Sequence, residues 1–192
     1  MKLGVERIRN ISTSLRTFSR ADKDYKVLFD IHEVIESTIL ILKHRLKTND
    51  ERPAIEVVTE YGKLPLIECF PGQLNQVFMN LLANAIDALE ESNQERTLEK
   101  INANPNCITI LTSMPDKDRV KIQIADNGTG MTEEVKQRIF DHLFTTKAVG
   151  KGTGLGLAIA HQIVVEKHGG VIEVNSVLGQ ETEFAIVLPI NG

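Results

Sequence analysis

The chain contains no tryptophan and only two cysteines, Cys69 and Cys107, among its 192 residues. Both cysteines lie in apolar segments with strand-like patterning, so the sequence predicts buried thiols in a reducing compartment rather than a disulfide framework. No apolar run approaches the ~18 residues of a membrane-spanning helix, and the first residues lack the pattern of a signal peptide. We therefore expect a soluble, cytoplasmic protein.

An excess of positive charge is also lacking. The formal net charge is -4, which argues against nucleic acid as a partner. Hydrophobic residues make up 42% of the chain and charged residues 25%, a composition typical of globular proteins rather than disordered ones. The length suits one domain of ordinary size with a short appendage.

Two common nucleotide-binding motifs are absent. The P-loop pattern requires Ser or Thr after its Gly-Lys pair, but Gly150 and Lys151 are followed by Gly152. The dinucleotide fingerprint G-x-G-x-x-G would require glycine at the position of Leu155. Any phosphate bound here is therefore held by a different arrangement.

Two glycine clusters are present instead, DNGTGM at residues 126–131 and GKGTGLGL at residues 150–157. The first follows an alternating, strand-like segment, and the second begins an apolar helical run over 155–165. Backbone amides that lead into a helix N-terminus form a natural anion site. The clusters could serve only as turns, but two of them beside an acidic residue favour a binding site with a closing loop.

Residues 1–20 are predicted to form an amphipathic helix. Its apolar stripe recurs at spacings of three and four residues, through Ile8, Ile11, Leu15 and Phe18. The stripe needs a covering surface. The helix either docks on the main domain or forms half of a helical bundle, and periodicity alone leaves both interpretations open.

Patterning predicts an alternation of strands and helices after a polar hinge at 21–24. Strands are expected near 25–29, 55–59, 66–70, 107–114, 119–126, 170–177 and 182–189, and helices over 30–46, 71–91, 132–140 and 155–166. The polar segment 92–106 is predicted to be a loop. No internal repeat is present.

The predicted helix 71–91 has two distinct faces. Its apolar face comprises Leu74, Val77, Phe78, Leu81, Ala85 and Leu89. A separate polar stripe comprises Gln73, Gln76, Asn80, Asn84, Asp87 and Glu91. Asparagine has low helix propensity, and an amide oxygen is a suitable ligand for Mg²⁺. The stripe is either a solvated face or the wall of a metal–phosphate site.

Four segments in order resemble the motifs of sensor histidine kinases. NLLANAIDA at 80–88 resembles the N box, 126–131 the first glycine box, IFDHLFTTK at 139–147 the F box, and 150–157 the second glycine box. The resemblance extends over residues 25–190. It implies an α/β fold, a two-layer sandwich of the Bergerat type with helices on one face of a mixed sheet. Residues 1–24 resemble the second helix and hinge of a dimerisation and phosphotransfer hairpin, which leaves 25–192 as the catalytic ATP-binding domain.

The resemblance also implies roles for individual residues. Asn84 would bind Mg²⁺, Asn80 would line the phosphates, and Asp126 would accept a hydrogen bond from the adenine amine. Residues 141–152 would form a lid over the nucleotide. The implied ATP site comprises Asn80, Asn84, Asp87, Asp126, Gly128, Gly130, Met131, Thr145, Thr146, Lys147, Gly152, Thr153, Gly154, Leu155, Gly156 and Thr182. No residue is assigned a certain catalytic role.

The sequence departs from the family pattern at two positions. His142 stands where many members carry proline, and Asp87 stands near a position that is often basic. An acidic side chain cannot neutralise phosphate, so the contact of Asp87 with the nucleotide is in question. Lys147 could face the phosphates or be solvated.

The family's phosphoacceptor histidine, which is followed by an acidic residue and often by proline, has no counterpart here. Of the five histidines, only His32 precedes an acidic residue, Glu33, and both fall at the start of a predicted helix in the ATP-binding domain. We therefore expect a fragment of a longer kinase, whose acceptor lies on an upstream helix and whose parent is dimeric and could be membrane-anchored.

The function that the resemblance implies is transfer of the γ-phosphoryl group of Mg-ATP to that histidine, with a response regulator as the downstream partner. Two alternatives stay open. One is an ATP hydrolase of the gyrase and mismatch-repair type, although those enzymes carry a glutamate general base at the position of Asn80. The other is a nucleotide-binding regulatory module without catalysis.

Overall fold

The computed structural model describes residues 25–48, 52–94, 96–147 and 152–191. The predicted helix over 1–20, the hinge and residues 148–151, which include Gly150 and Lys151 of the second glycine cluster, lie outside the described residues. None of the described helices is both long enough and apolar enough to cross a membrane.

The elements alternate along the chain much as predicted. The strands are β1 (Val27–Phe29), β2 (Glu56–Tyr61), β3 (Ile67–Cys69), β4 (Cys107–Asp116), β5 (Arg119–Asp126), β6 (Val171–Val177) and β7 (Glu181–Pro189). The helices are α1 (Ile31–Leu46), α2 (Pro71–Asn93), α3 (Leu98–Ala103), α4 (Glu133–Lys136) and α5 (Gly156–Gln162), and a π-helical turn (Ile163–Lys167) continues α5.

Five strands form one mixed sheet in the order β2-β4-β5-β7-β6. β2 pairs with β4 in parallel, and the other neighbours pair antiparallel. A separate two-stranded antiparallel sheet joins β1 to β3. One face of β5 is buried through Val120, Ile122, Ile124 and Asp126, whereas the alternate residues are exposed or half-buried. The sheet is therefore covered by helices on one face, as the resemblance implies.

Local sequence explains where the two long helices begin. The Asp30 carboxylate caps α1 by accepting a hydrogen bond from the His32 backbone N–H at 2.9 Å, and Pro71 stands at the first position of α2, where a missing N–H costs nothing. The predicted apolar face of α2 is buried, with Leu74, Val77 and Phe78 fully inaccessible. α2 lies between α1 and α5 and also contacts β5, so its polar stripe opens at the edge of the core.

Three local features differ from the sequence prediction. The segment predicted as a loop over 92–106 contains the short helix α3, whose cap is Thr97. The helix predicted over 132–140 is α-helical only over Glu133–Lys136. The helix predicted through 166 changes to a π-helical turn at Ile163, where the buried His168 ring nitrogen Nδ1 lies 2.9 Å from the Ile163 carbonyl oxygen.

Candidate functional site

A cavity of about 360 Å³ lies between α2, the loop after β5, residues 139–147 and the start of α5. This volume is in the range of small-molecule sites. All the residues predicted for the ATP site line the cavity except Gly128 and Leu155. The further lining residues are mainly apolar: Ala83, Ala85, Ala88, Glu91, Thr129, Val135, Ile139, Phe144, Leu157 and Phe184.

Asp126 is a buried carboxyl group on the cavity wall. It ends β5, is only 6% exposed, and accepts a hydrogen bond from the Gly128 backbone N–H at 3.0 Å. Burial raises its pKa to about 7, the nearby charge of Glu181 adds to the rise, and the Gly128 hydrogen bond opposes it. A buried, perturbed carboxyl group in a cavity is typical of a functional site.

Thr182 lies beside Asp126 because the two residues are partners across β5 and β7. The Thr182 hydroxyl is 2.9 Å from the hydroxyl of Ser176, which already donates to the Glu181 carbonyl oxygen and accepts from the Met131 N–H. Ser176 has a single proton, so Thr182 must be the donor in their contact. The two lone pairs of the Thr182 hydroxyl and the carboxylate of Asp126 are therefore all acceptors for a ligand that donates.

The first glycine cluster is shaped by close backbone contacts. Gly130 has a φ of +62°, and a Cβ there would lie 2.0 Å from the Val177 carbonyl oxygen. A Cβ on Gly128 would approach the Asp126 carboxylate at 2.7 Å and Ala88 at 3.0 Å. Gly128 therefore acts on the cavity through Asp126, although it does not line the cavity itself.

The polar stripe of α2 faces the cavity over its C-terminal half. Asn80, Asn84, Asp87 and Glu91 line the cavity. The Asn80 amide donates to the Gly156 carbonyl oxygen at 2.8 Å and so ties α2 to the first residue of α5. The interpretation of this part of the stripe as a solvated face is therefore not supported.

The oxygen of Asn84 accepts a hydrogen bond from Lys147 Nζ at 3.0 Å, which shows that a cation can be accommodated at this oxygen. Mg²⁺ takes oxygen ligands and usually keeps waters and substrate phosphates in its shell. Among the described residues there is no group of three or more His, Cys, Asp or Glu that could hold a metal. The Asn84 side chain thus offers an oxygen of the kind that Mg²⁺ takes as a ligand.

The Asp87 carboxylate forms ion pairs with two basic side chains, Arg45 and Lys147. It contacts Lys147 and accepts from Arg45 of α1 at 2.6 Å. Partial burial raises the pKa of Asp87, but the hydrogen bonds from Lys147 and Arg45 outweigh burial and hold the pKa below its usual value. Asp87 is thus an ionised anchor on the cavity wall.

The second glycine cluster meets the F-box segment by backbone contact. The Leu143 N–H donates to the Gly154 carbonyl oxygen at 3.0 Å, and both residues have positive φ, +64° for Leu143 and +65° for Gly154. A Cβ on Gly154 would lie 2.4 Å from the Leu143 carbonyl carbon. The side chain of Leu155 is 37% exposed and does not line the cavity.

Two polar residues that organise the site were not predicted. Ser176 occupies a core-facing position of β6, and a buried hydroxyl in that alternating pattern was a detectable signal. Arg45 in the last turn of α1 had no distinguishing signal, because basic residues are common at helix C-termini. All five histidines are described, and none of them lines the cavity.

Comparison with known proteins gives consistent matches. The sequence profile of the family "Histidine kinase-, DNA gyrase B-, and HSP90-like ATPase" matches residues 70–192. The chain is 34% identical over 191 residues to the sensor kinase CckA of Brucella abortus (strain 2308), covering 98% of the chain and 20% of that protein. It is 35% identical over 163 residues to the sensor histidine kinase ZraS of Klebsiella oxytoca, covering 85% of the chain and 31% of that protein.

Solved structures agree with the sequence relatives. The nucleotide-free catalytic domain of histidine kinase ThkA superposes with a TM-score of 0.68 at 26% identity, covering 86% of the chain and 96% of that structure. Full-length ShkA in complex with AMPPNP gives a TM-score of 0.69 at 24% identity, covering 95% of the chain and 35% of that structure, which supports the fold alone. The chain thus spans between a fifth and a third of the curated relatives named above.

Proposed function

Because the chain belongs to the histidine kinase-, DNA gyrase B- and HSP90-like ATPase family, we propose that it is the ATP-binding catalytic domain of a two-component sensor histidine kinase. It transfers the γ-phosphoryl group of Mg-ATP to a histidine on an upstream helix. The observation that carries the proposal is that Asp126, Thr182, Asn84 and residues of both glycine clusters line the same cavity.

The adenine base is assigned to the Asp126 end of the cavity. A carboxylate and the free lone pairs of the Thr182 hydroxyl suit the exocyclic amine of adenine, which donates, whereas guanine presents a carbonyl oxygen at the corresponding position. Met131, whose N–H is held by Ser176, and the apolar lining residues would contact the ring. This arrangement predicts selection of ATP over GTP.

The phosphates are assigned to the opposite end, between Asn80, Asn84 and the glycine cluster that begins α5. Asn84 would hold Mg²⁺ together with the phosphates and water, and the bound metal would neutralise charge that develops during transfer. Thr145, Thr146, Gly152, Thr153, Gly154 and Gly156 would surround the phosphates. Catalysis by such a site consists mainly of positioning and charge neutralisation.

The acceptor and the remaining partners are proposed from the relatives. We assign residues 1–24 to the second helix and hinge of the phosphotransfer hairpin, and residues 25–192 to the catalytic domain. The acceptor histidine is carried on the other helix of that hairpin in a dimeric kinase, and a response regulator receives the phosphoryl group.

Two competing functions differ in what they require of Asn80. A hydrolase of the gyrase or mismatch-repair type uses a glutamate there to take a proton from water, whereas an amide cannot act as a general base. In this protein the Asn80 amide is instead engaged with the Gly156 carbonyl oxygen. We therefore expect slow hydrolysis. A regulatory module without catalysis would bind nucleotide but transfer nothing.

Calorimetric titration with Mg²⁺ and a non-hydrolysable ATP analogue tests the nucleotide site. Asp126→Ala removes a charge-assisted hydrogen bond of roughly 1.5–3 kcal/mol, so affinity should fall about ten- to a hundredfold. Asp118→Ala is the matched control, because Asp118 is exposed in the turn between β4 and β5. Equal affinities for wild type and Asp126→Ala would exclude the adenine assignment, and tight binding of the GTP analogue would exclude the proposed selectivity.

A further inference from the structure

Lys147 has two protein partners inside the cavity. Its Nζ donates to Asn84 Oδ1 at 3.0 Å and contacts the carboxylate of Asp87. The side chains of Lys147 and Asp87 are 33% and 32% exposed, so the pair is partly shielded from water. The contact joins the last residue of the F-box segment to α2.

The anchor for this lysine is itself held in place. Asp87 Oδ1 accepts from Arg45 at 2.6 Å, which leaves Oδ2 for Lys147. Arg45 also donates to the Glu90 carboxylate at 2.9 Å. Glu90 lies three residues after Asp87 on α2, so two carboxylates of one helix hold the guanidinium group. Arg45 of α1 therefore holds the Asp87 carboxylate in the orientation in which it contacts Lys147.

The stem of Lys147 is also confined. The Lys147 backbone N–H donates to Thr145 Oγ1 at 3.2 Å. A Cβ on Gly152 would lie 3.1 Å from Lys147 Cβ and 3.2 Å from its Cδ, so the aliphatic stem lies along a glycine with no room to spare. Both the ammonium head and the stem of the lysine are thus held on the Asn84 side of the cavity.

We propose that Lys147 is an internal cation that occupies the Asn84 oxygen in the nucleotide-free domain and that Mg-nucleotide must displace, with Asp87 as its anchor. The inference rests on the proposed function, because it assigns Asn84 to the metal. Mg²⁺ binds its oxygen ligands at 2.0–2.1 Å in near-octahedral geometry. The ammonium group and the metal therefore cannot share one amide oxygen from the same side.

This arrangement gives Asp87 a role opposite to that of a metal ligand. Only molecules in which Lys147 has left Asn84 can bind the nucleotide. The apparent association constant is therefore the intrinsic one multiplied by the fraction of such molecules. Removing the anchor should raise nucleotide affinity, whereas removing a metal ligand should lower it. Arg45 is a positioning residue, since it acts only through Asp87.

The first test is calorimetric titration of Asp87→Asn with Mg²⁺ and a non-hydrolysable ATP analogue at fixed ionic strength. Affinity should rise roughly three- to fivefold, the upper part of the range expected for loss of a partly exposed ion pair. Glu91→Gln removes a negative charge from the same cavity wall without touching Lys147, so it measures the effect of charge alone. Asp118→Asn removes a carboxylate from the exposed turn between β4 and β5, and it should change affinity by less than about twofold.

The outcomes separate the two proposals. Lower affinity in Asp87→Asn, or a gain no larger than in Glu91→Gln, overturns the internal-cation inference and leaves the nucleotide site intact. Absence of binding in wild type and all variants overturns the proposed function itself.

A second measurement needs no nucleotide. Acylation of lysines in the free protein, followed by mass spectrometry, reports whether Lys147 is held. Lys147 should react several-fold faster in Asp87→Asn than in wild type, while the exposed Lys63 should react equally in both. Equal rates for Lys147 in the two proteins would overturn the inference, because the anchor would then hold nothing in solution.

Discussion

Asp126 is a carboxyl group placed where burial opposes its charge. It is 6% exposed, and the Gly128 N–H, at 3.0 Å, is its one hydrogen-bond donor among the residues that the structure describes. A carboxylate that serves only structure would be expected to have more donors. The carboxylate lines the cavity and has acceptor lone pairs to spare. A ligand that donates a hydrogen bond would therefore satisfy them.

We predict that nucleotide affinity rises with pH through about 7, the pKa of Asp126 in the free protein. The adenine amine binds the carboxylate rather than the carboxyl, so the proton must leave when the ligand binds below that pKa. Affinity at pH 6 should be roughly tenfold lower than at pH 8. Titrations at the two pH values, in buffers of different ionisation enthalpy, measure both the affinity and the released proton.

Asp126→Asn is the control for this pH dependence, because it retains the titration of the nucleotide itself. The variant should bind weakly and with little change between pH 6 and pH 8. A wild-type pH profile parallel to that of Asp126→Asn would show that Asp126 does not titrate on binding.

The same residue should cost stability at high pH. The folded-state pKa of about 7 lies above the ordinary value of 3.8, so the native state binds more protons than the unfolded state between these values. Stability is therefore lost as pH rises through that window. Asp126→Asn should stabilise the domain by about 2 kcal/mol more at pH 8 than at pH 5. Urea denaturation at both pH values measures the difference, and an equal gain at both would contradict it.

At the residue scale, the sequence predicted those site residues that belong to a recognisable motif. Asp126, Asn84 and Thr182 were assigned by resemblance, and the structure brings all three to one cavity. Arg45 could not be predicted, because its role depends on the packing of α1 against α2, which leaves no local pattern.

At the scale of elements, helix faces were predictable and short or irregular segments were not. The apolar face of α2 follows the helical period over 23 residues, so its orientation was clear before the structure. α3 has only six residues, and its main anchor is the buried Ile101. The π-helical turn depends on the side chain of His168, which also accepts a hydrogen bond from the Phe70 N–H at 3.1 Å. Such tertiary contacts leave no periodic signal.

Glycines with positive φ differ in whether neighbouring atoms would block a Cβ. Gly130 and Gly179 have similar positive φ values of +62° and +77°, but only Gly130 has a backbone atom where a Cβ would stand, whereas Gly179 has open space. Gly179→Ala should cost about 1–2 kcal/mol, the strain of a left-handed residue. Gly130→Ala should cost at least about 3 kcal/mol because the loop must also shift.

Thermal unfolding of the two variants under the same buffer tests this difference. Since the Gly179 N–H donates to the Thr129 carbonyl oxygen at 2.7 Å, both substitutions fall in one connected loop pair and sample the same surroundings. Equal losses would mean that the loop moves aside freely, and the close approach would then have no energetic consequence.

At the scale of the whole molecule, the sequence alone predicted an α/β class but not the topology. Periodicity indicated seven strands, yet nothing in it pairs β2 with β4 in parallel or places β5 at the centre. The two-layer arrangement came from the resemblance, and the structure confirms it. The pairing of β1 with β3 in a separate sheet was not predicted, since both strands have only three residues.

The placement of the histidines leads to the last prediction. His168 is buried, and His32 is stacked on Tyr61 with ring centroids 4.3 Å apart and lies 2.9 Å from the Thr112 hydroxyl. Neither they nor His44, His142 or His161 line the cavity. Transfer requires the acceptor nitrogen in line with the γ-phosphorus, and most of the rate comes from that placement. The chain should therefore not phosphorylate itself.

A histidine helix supplied in trans should restore transfer at a low rate, because association and ordering must now be met from contact energy. Incubation with ATP labelled at the γ-phosphate, with and without a peptide carrying the first hairpin helix of the parent kinase, measures this. Acid-labile label should appear on the peptide only, and at ATP concentrations below the dissociation constant Asp126→Ala should lower it about ten- to a hundredfold. Label on the chain alone that is lost in His32→Ala would make His32 an acceptor despite its structural contacts. Absence of label on both components, with nucleotide bound, would favour a regulatory module over a kinase.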